Sequence, residues 1–276
     1  MPKILTKMQV KRFHDEGYLS PIDVMSEHEA QDYRRQLEEI ENDYPDHINA
    51  QNRNNAHLVF PALDKLAHHR VIVDAVEDLI GPDISLWGSV LFIKEPQTAG
   101  FVSWHQDATY MGLNPHDFVT PWLALTSSNL QNGCMSMIPG SHKNHIRRHH
   151  DTFEEANILT RGQTVKDVDE SSAVDLILKS GQMSLHHAEI IHGSQPNLSR
   201  DRRIGYAMQS FVSAHTRQVL GDNYWLHIRG DSPRENNIDL QRPASNMAAE
   251  AVESRKRVND NWAKILYQGA EKKRAY

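Results

Sequence analysis

The sequence predicts a mainly β protein with flanking helices, an antiparallel sandwich or barrel with helical packing on one side. Three observations lead there. Helical periodicity is confined to roughly the first 80 residues and a tail. Seven short apolar or β-branched runs fill the middle. Turn signals separate those runs: Glu95–Pro96, Asn114–Pro115, Asn132–Gly133, Pro139–Gly140, Ser180–Gly181 and Pro196–Asn197.

In chain order, residues 6–16 predict a short amphipathic helix with Val10 and Phe13 on one face. Ser26 to Glu29 reads S-x-x-E, a capping box, and opens a helix over 27–43 that stops before Pro45. A third helix spans 69–80, with Ile72, Val73, Val76, Leu79 and Ile80 at helical spacing and Gly81–Pro82 at its end. The run ISLWGSVLFIK (84–94) then predicts a buried strand. Further strands are expected at 101–105, 121–129, 134–138, 173–177, 182–186 and 204–213. The tail over 243–272 turns helical again, with Val252, Val258, Trp262 and Leu266 as apolar positions. One domain over 1–276 is expected: a helical layer (1–82), a β core (83–215) and a C-terminal extension with a helix (216–276).

The bulk composition excludes several classes. The 276 residues are 39% hydrophobic and 24% charged, an ordinary globular balance long enough to bury a core without disulfides. A single cysteine, Cys134, forms no intrachain disulfide and suggests a reducing compartment. No apolar run is long enough to cross a bilayer, and the N-terminus lacks an apolar core of signal-peptide length. A cytoplasmic, soluble protein with no membrane partner is expected. The net charge of −6 argues against nucleic acid, and Arg147–Arg148 and Arg200–Arg203 read as short solvated clusters. The 17 histidines raise the prior for a metal site without locating it.

The stretch SWHQDATYMGL (103–113) sets His105 and Asp107 at i and i+2, on one face of a regular strand. An imidazole and a carboxylate presented together fill two adjacent positions on a divalent metal. Two other pairs share or approach the spacing. His149–Asp151 lies in a charged run that reads as an exposed loop, and His187–Glu189 follows a strand. His105–Asp107 is set apart by its apolar neighbours Phe101, Val102, Trp104, Tyr110 and Met111, where a metal would satisfy both buried polar groups. The third ligand is expected from GQMSLHHAEIIHGSQPNLSRDRRIGYAMQSF (181–211), which holds His186, His187 and His192. Arg203 enters an apolar strand there and reads either as solvent-facing or as an inward guanidinium for a carboxylate.

Three segments together resemble the phytanoyl-CoA dioxygenase (PhyH) family of Fe(II)- and 2-oxoglutarate-dependent oxygenases: WHQD (104–107), PWLALTSSNLQNGCMSMIPGSH (121–142) and HGSQPNLSRDRRIG (192–205). The resemblance extends over about residues 6–215. It implies a double-stranded β-helix, a cupin-like jelly roll, with His105, Asp107 and His192 as metal ligands. It also implies Arg203 on the distal carboxylate of 2-oxoglutarate, Ser194 as a second contact and Trp122 beside the cosubstrate. Arg203, directly before Ile204–Gly205, matches the family pattern better than Arg202.

The implied cofactors are Fe(II), 2-oxoglutarate and O2. The implied reaction is hydroxylation of an unactivated C–H bond of a small-molecule substrate, with release of succinate and CO2. Halogenase relatives carry a small residue where this chain keeps Asp107, so halogenation is not expected. His145, Arg147 and Arg148 hint at a polar or anionic substrate. Tyr110, and Arg53, Asn55 and His57 in the polar 43–60 segment, are candidate cavity residues, as are His186 and His187; Cys134 reads as a small core residue. Two rival readings use the same triad: a zinc-type hydrolase that activates water, and a cupin-like binding module without turnover.

Overall fold

The structure, a computed structural model, describes residues 2–49, 52–230 and 237–273. Helix α1 (Lys7–Glu16) starts at a Thr6–Gln9 capping box and ends at Gly17 in the left-handed region. Strand β1 (Tyr18–Asp23) follows, then α2 (Glu27–Asp43), capped by Ser26 and Glu29. Next come α3 (Pro61–Ala67), with proline in its first turn, and α4 (Arg70–Ile80).

The β region runs through β2 (Ile84–Leu86), β3 (Val90–Lys94), β4 (Val102–His105), β5 (Leu113–Asn114), β6 (Phe118–Ala124) and β7 (Met135–Met137). It continues with β8 (His149–Asp151), β9 (Gln163–Val165), β10 (Val174–Asp175), β11 (Gln182–His187), β12 (His192–Ser194), β13 (Arg203–Ala207) and β14 (Phe211–Val212). The chain closes with β15 (Arg217–Gln218), β16 (Tyr224–Arg229), β17 (Ile238–Asp239) and α5 (Ala249–Leu266).

The large sheet runs β1-β11-β6-β14-β2-β16-β17, with β13 bridging β3 and β6. The small sheet runs β10-β7-β12-β4. This is the double-stranded β-helix that the resemblance implied. One buried cluster lies between the large sheet and the helices, with Leu37, Phe60, Leu66, Ile72, Phe118 and Phe211. A second gathers Trp122 of the large sheet with Met135 and Met137 of the small one.

Four local expectations differ from the structure. The N-terminal layer is not wholly helical: β1 pairs antiparallel with β11, Tyr18 opposite His186. The 84–94 run breaks into β2 and β3 because a side chain at Gly88 would lie 2.0 Å from Trp262 of α5. The 204–213 run breaks opposite it, where Ser210 has φ +65° and Trp87 N–H donates to its carbonyl. The 149–151 segment is not an exposed loop: it pairs with β9, and Ser103 Oγ of β4 donates to the β9 carbonyl of Gln163.

Candidate metal and cosubstrate site

The first histidine is the last residue of β4 and the second is the first of β12, and the two face each other directly in the antiparallel register. Their rings are 4.1 Å apart. Asp107 is not on a strand. Gln106 stays extended (φ −125°, ψ 125°) and Asp107 opens a 3-10 turn, which still returns its carboxylate to the histidine side. Gln106 itself points away: it donates to the carbonyls of His145 and Glu189 and accepts from Arg147 N–H. One ligand atom from each of His105, Asp107 and His192 lies within 4.8 Å of the others.

The electrostatics of the three groups call for a cation. His105 Nδ1 faces the Ser103 carbonyl at 2.9 Å and His192 Nδ1 faces that of Ile190 at 3.1 Å. Each contact puts the Nδ1 proton on a carbonyl and leaves the Nε2 lone pair facing Asp107 Oδ1, at 3.4 and 3.8 Å. Burial, and then the neighbouring His105, push His192 well below its ordinary pKa, so it is neutral. Burial raises the Asp107 carboxyl, but the surrounding imidazoles of His105, His186 and His192 outweigh it and hold the group well below the usual range. Two imidazole lone pairs and a carboxylate oxygen converge on one point. That donor set fits a divalent metal with three open positions.

The cosubstrate end is equally specific. Arg203 is 1% exposed, and its Nε has no partner among the described residues. Its guanidinium lies 5.1 Å from the Trp122 ring centroid, and burial lowers its pKa to about 10. Gly205 makes the close packing possible, since a side chain there would lie 1.8 Å from Trp122. Arg202 faces outward and pairs with Glu41 and Glu95. Ser194 also lines the cavity and accepts a hydrogen bond from Lys94 Nζ at 2.7 Å. Arg203 therefore offers a buried cationic fork with no carboxylate among the described residues, as an anionic cosubstrate requires.

A cavity of about 520 Å³ joins the two ends; its lining includes His105, Asp107, His192, Trp122, Ser194 and Arg203. Tyr110, Arg53 and His186 also line it, but Asn55, His57 and His187 do not. His57 is buried against Ser89 Oγ at 2.7 Å, and burial lowers its pKa to about 3. His187 packs on Phe13 and His142, and Glu189 pairs with His116. His149 accepts from Gln106 N–H at 2.9 Å and Asp151 pairs with Arg161, so that pair braces the peptide between two candidate ligands. Cys134 is buried, as expected of a core residue.

Sequence reasoning missed Lys94, whose signal was a lysine ending an otherwise apolar strand. It is 2% exposed and pairs in register with Arg203. It missed Thr120, whose Oγ1 lies 3.4 Å from Asp107 Oδ2. It also missed that α5 walls the cavity with Asn259, Trp262, Ala263 and Leu266.

A family model for phytanoyl-CoA dioxygenase (PhyH) matches residues 13–205. A probable alpha-ketoglutarate-dependent hypophosphite dioxygenase of Stutzerimonas stutzeri is 35% identical over 159 residues, 55% of this chain and 55% of that protein. The peroxisomal phytanoyl-CoA dioxygenase of Homo sapiens is 27% identical over 175 residues, 62% of this chain and 49% of that one. The aligned part thus spans about half the length of these curated relatives. Among solved structures, apo ThoJ, a non-heme monooxygenase, superposes with a TM-score of 0.84 at 28% identity, covering 94% of this chain and 98% of that one. CytC3 with Fe(II) and alpha-ketoglutarate has a TM-score of 0.65 at 23% identity, over 84% and 91% of the two chains, a likeness of fold. With the match running over most of its length, the chain belongs to the phytanoyl-CoA dioxygenase family of Fe(II)- and 2-oxoglutarate-dependent oxygenases.

Proposed function

We propose that the protein is an Fe(II)- and 2-oxoglutarate-dependent dioxygenase that hydroxylates a C–H bond of a small polar molecule. The observation that carries this reading is the buried Arg203 guanidinium, without a carboxylate partner among the described residues, in the same cavity as the His105–Asp107–His192 group. His105, Asp107 and His192 would hold the iron. Arg203, with Ser194 and the adjacent Lys94, would hold the distal carboxylate, and Trp122 would form the wall beside it. Iron bound with 2-oxoglutarate and O2 supplies the oxidant, with succinate and CO2 as coproducts. The protein's own work is placement: Arg203 fixes the cosubstrate's reach, and the triad keeps its ligands on one face.

The outer cavity supports a polar substrate. Asn54, Gln209 and Asn259 bring carboxamides from three separate segments, and Trp87, Trp262 and Leu266 supply apolar wall. His145, Arg147 and Arg148, the basis for an anionic substrate, lie outside this lining. Arg147 is occupied by the carbonyls of Lys166 and Asp167.

Anaerobic titration with Fe(II) and 2-oxoglutarate tests the reading. A visible metal-to-ligand charge-transfer band is expected, and Asp107→Ala should lose both the band and succinate formation. No band in the wild type would favour a zinc-type hydrolase, which gives Arg203 no role, or a binding module. Halogenation is not expected, because Asp107 fills the position a halide would need. A metabolite panel screened for succinate formation would then identify the substrate.

A further inference from the structure

A third imidazole sits beside the two of the triad. His186, 2% exposed, belongs to β11, and in the register it stands opposite Thr120 of β6. The two side chains reach the same atom: Thr120 Oγ1 and His186 Nε2 each lie 3.4 Å from Asp107 Oδ2. The other oxygen, Oδ1, faces His105 and His192. The carboxylate is thus divided, one oxygen toward the candidate ligands and one toward two hydrogen-bond donors on the large sheet.

We propose that His186 is a positioning residue: it holds the outer oxygen of Asp107, so that the carboxylate offers iron a single oxygen. The inference rests on the iron reading above and adds to it. A facial triad leaves three positions, all needed for a two-point cosubstrate and O2. A carboxylate free to swing onto both oxygens takes one of them. His186 prevents this by donating from Nε2, while its Nδ1 is buried without a partner among the described residues. A proton on Nε2 meets a carboxylate, whereas a proton on Nδ1 would be a stranded buried donor, so the surroundings select the Nε2–H tautomer. The compact group found among the described residues is His105, Asp107 and His192, without His186.

The test compares wild type, His186→Leu and His186→Gln, each loaded anaerobically with Fe(II) and 2-oxoglutarate and each checked for folding by circular dichroism. Removing a partner that orients a ligating group lowers metal affinity roughly 10- to 100-fold. That loss is expected in His186→Leu, with a displaced or weakened charge-transfer band. His186→Gln, whose amide N–H reaches the same oxygen, should recover most of both. If His186→Leu does not fold, Thr120→Val removes the companion donor and should shift the band in the same direction by a smaller amount. Electron-spin-echo modulation of the iron–nitric oxide complex, which counts coordinated imidazoles, should find two in the wild type. Three imidazoles would make His186 a ligand and overturn the proposal. So would unchanged affinity and band in folded His186→Leu, or no recovery in His186→Gln. A wild type without any charge-transfer band would sink the iron reading itself.

Discussion

Arg203 and Lys94 set two basic side chains, 1% and 2% exposed, side by side in a region of low dielectric. Each carries a cost that a dianionic cosubstrate would repay. Arg203→Met removes two charge-assisted hydrogen bonds to a carboxylate, together worth about 3 kcal/mol. The affinity for 2-oxoglutarate should therefore fall roughly 100-fold. The ligand-free variant should melt no lower than wild type, since it loses an uncompensated buried charge. A lower melting temperature without ligand would mean that Arg203 braces the fold instead. Lys94 is lowered from an ordinary 10.5 to about 6, by burial and then by Arg203. Between pH 6 and 10.5 the unfolded chain thus binds a proton that the folded chain lacks, so this group makes ligand-free stability rise with pH across that window. Bound carboxylate favours the charged amine, so 2-oxoglutarate should take up about one proton at pH 8. Calorimetric titration in buffers of different ionisation enthalpy measures that uptake, and Lys94→Met should abolish it. Both basic residues were written as breaks in apolar runs. Arg203 was legible because a known motif surrounds it, whereas Lys94 looked like an ordinary strand end.

At the level of elements, the sequence marked what is local and missed what depends on remote partners. Helices α1, α2 and α4 were readable from caps and a 3.6-residue period, and the cores of β4, β6, β7, β11 and β13 from apolar runs between turn residues. The break within 84–94 depends on Trp262 packing against Gly88, and the break within 204–213 on the Trp87 N–H reaching the Ser210 carbonyl; no local pattern encodes either. The α5 helix was expected from its apolar spacing, but its place over the cavity was not. Trp262 stacks on Trp87 at 4.1 Å between ring centroids and is 4% exposed. Trp262→Ala should cost about 3–5 kcal/mol, the usual range for emptying a buried tryptophan site, read as a lower urea midpoint at unchanged slope. The same variant should keep the charge-transfer band, because the candidate ligands stand on β4, the turn after it and β12, and Arg203 on β13. Loss of the band along with stability would place α5 in the metal site.

At the scale of the whole molecule, contacts cross the expected divisions at residues 82 and 215. Strand β1, from the N-terminal layer, pairs with β11, which carries His186. Arg255 of α5, 6% exposed, donates to the carbonyls of His47 and Asn54 at 2.7 and 2.9 Å and also to that of Asn52. At the other end of α5, Arg161 donates to the carbonyls of Leu266 and Gln268, and Tyr267 Oη donates to that of Thr160. The three stretches should therefore melt as one unit, with a single calorimetric transition whose calorimetric and van't Hoff enthalpies agree. Ligands that bind only the folded chain raise that transition by mass action. With Mn(II) and 2-oxoglutarate each near 100 times its dissociation constant, the gain is about 2.7 kcal/mol per ligand. A chain of this size gains a little under 2 °C per kcal/mol, so each ligand should add roughly 5 °C. The cosubstrate's share should vanish without metal, because Arg203 grips only one end of it, and a chelator should return the transition to its starting point. Two separable transitions, or a shift confined to part of the endotherm, would mean that the cavity belongs to a subdomain that the helices merely adjoin.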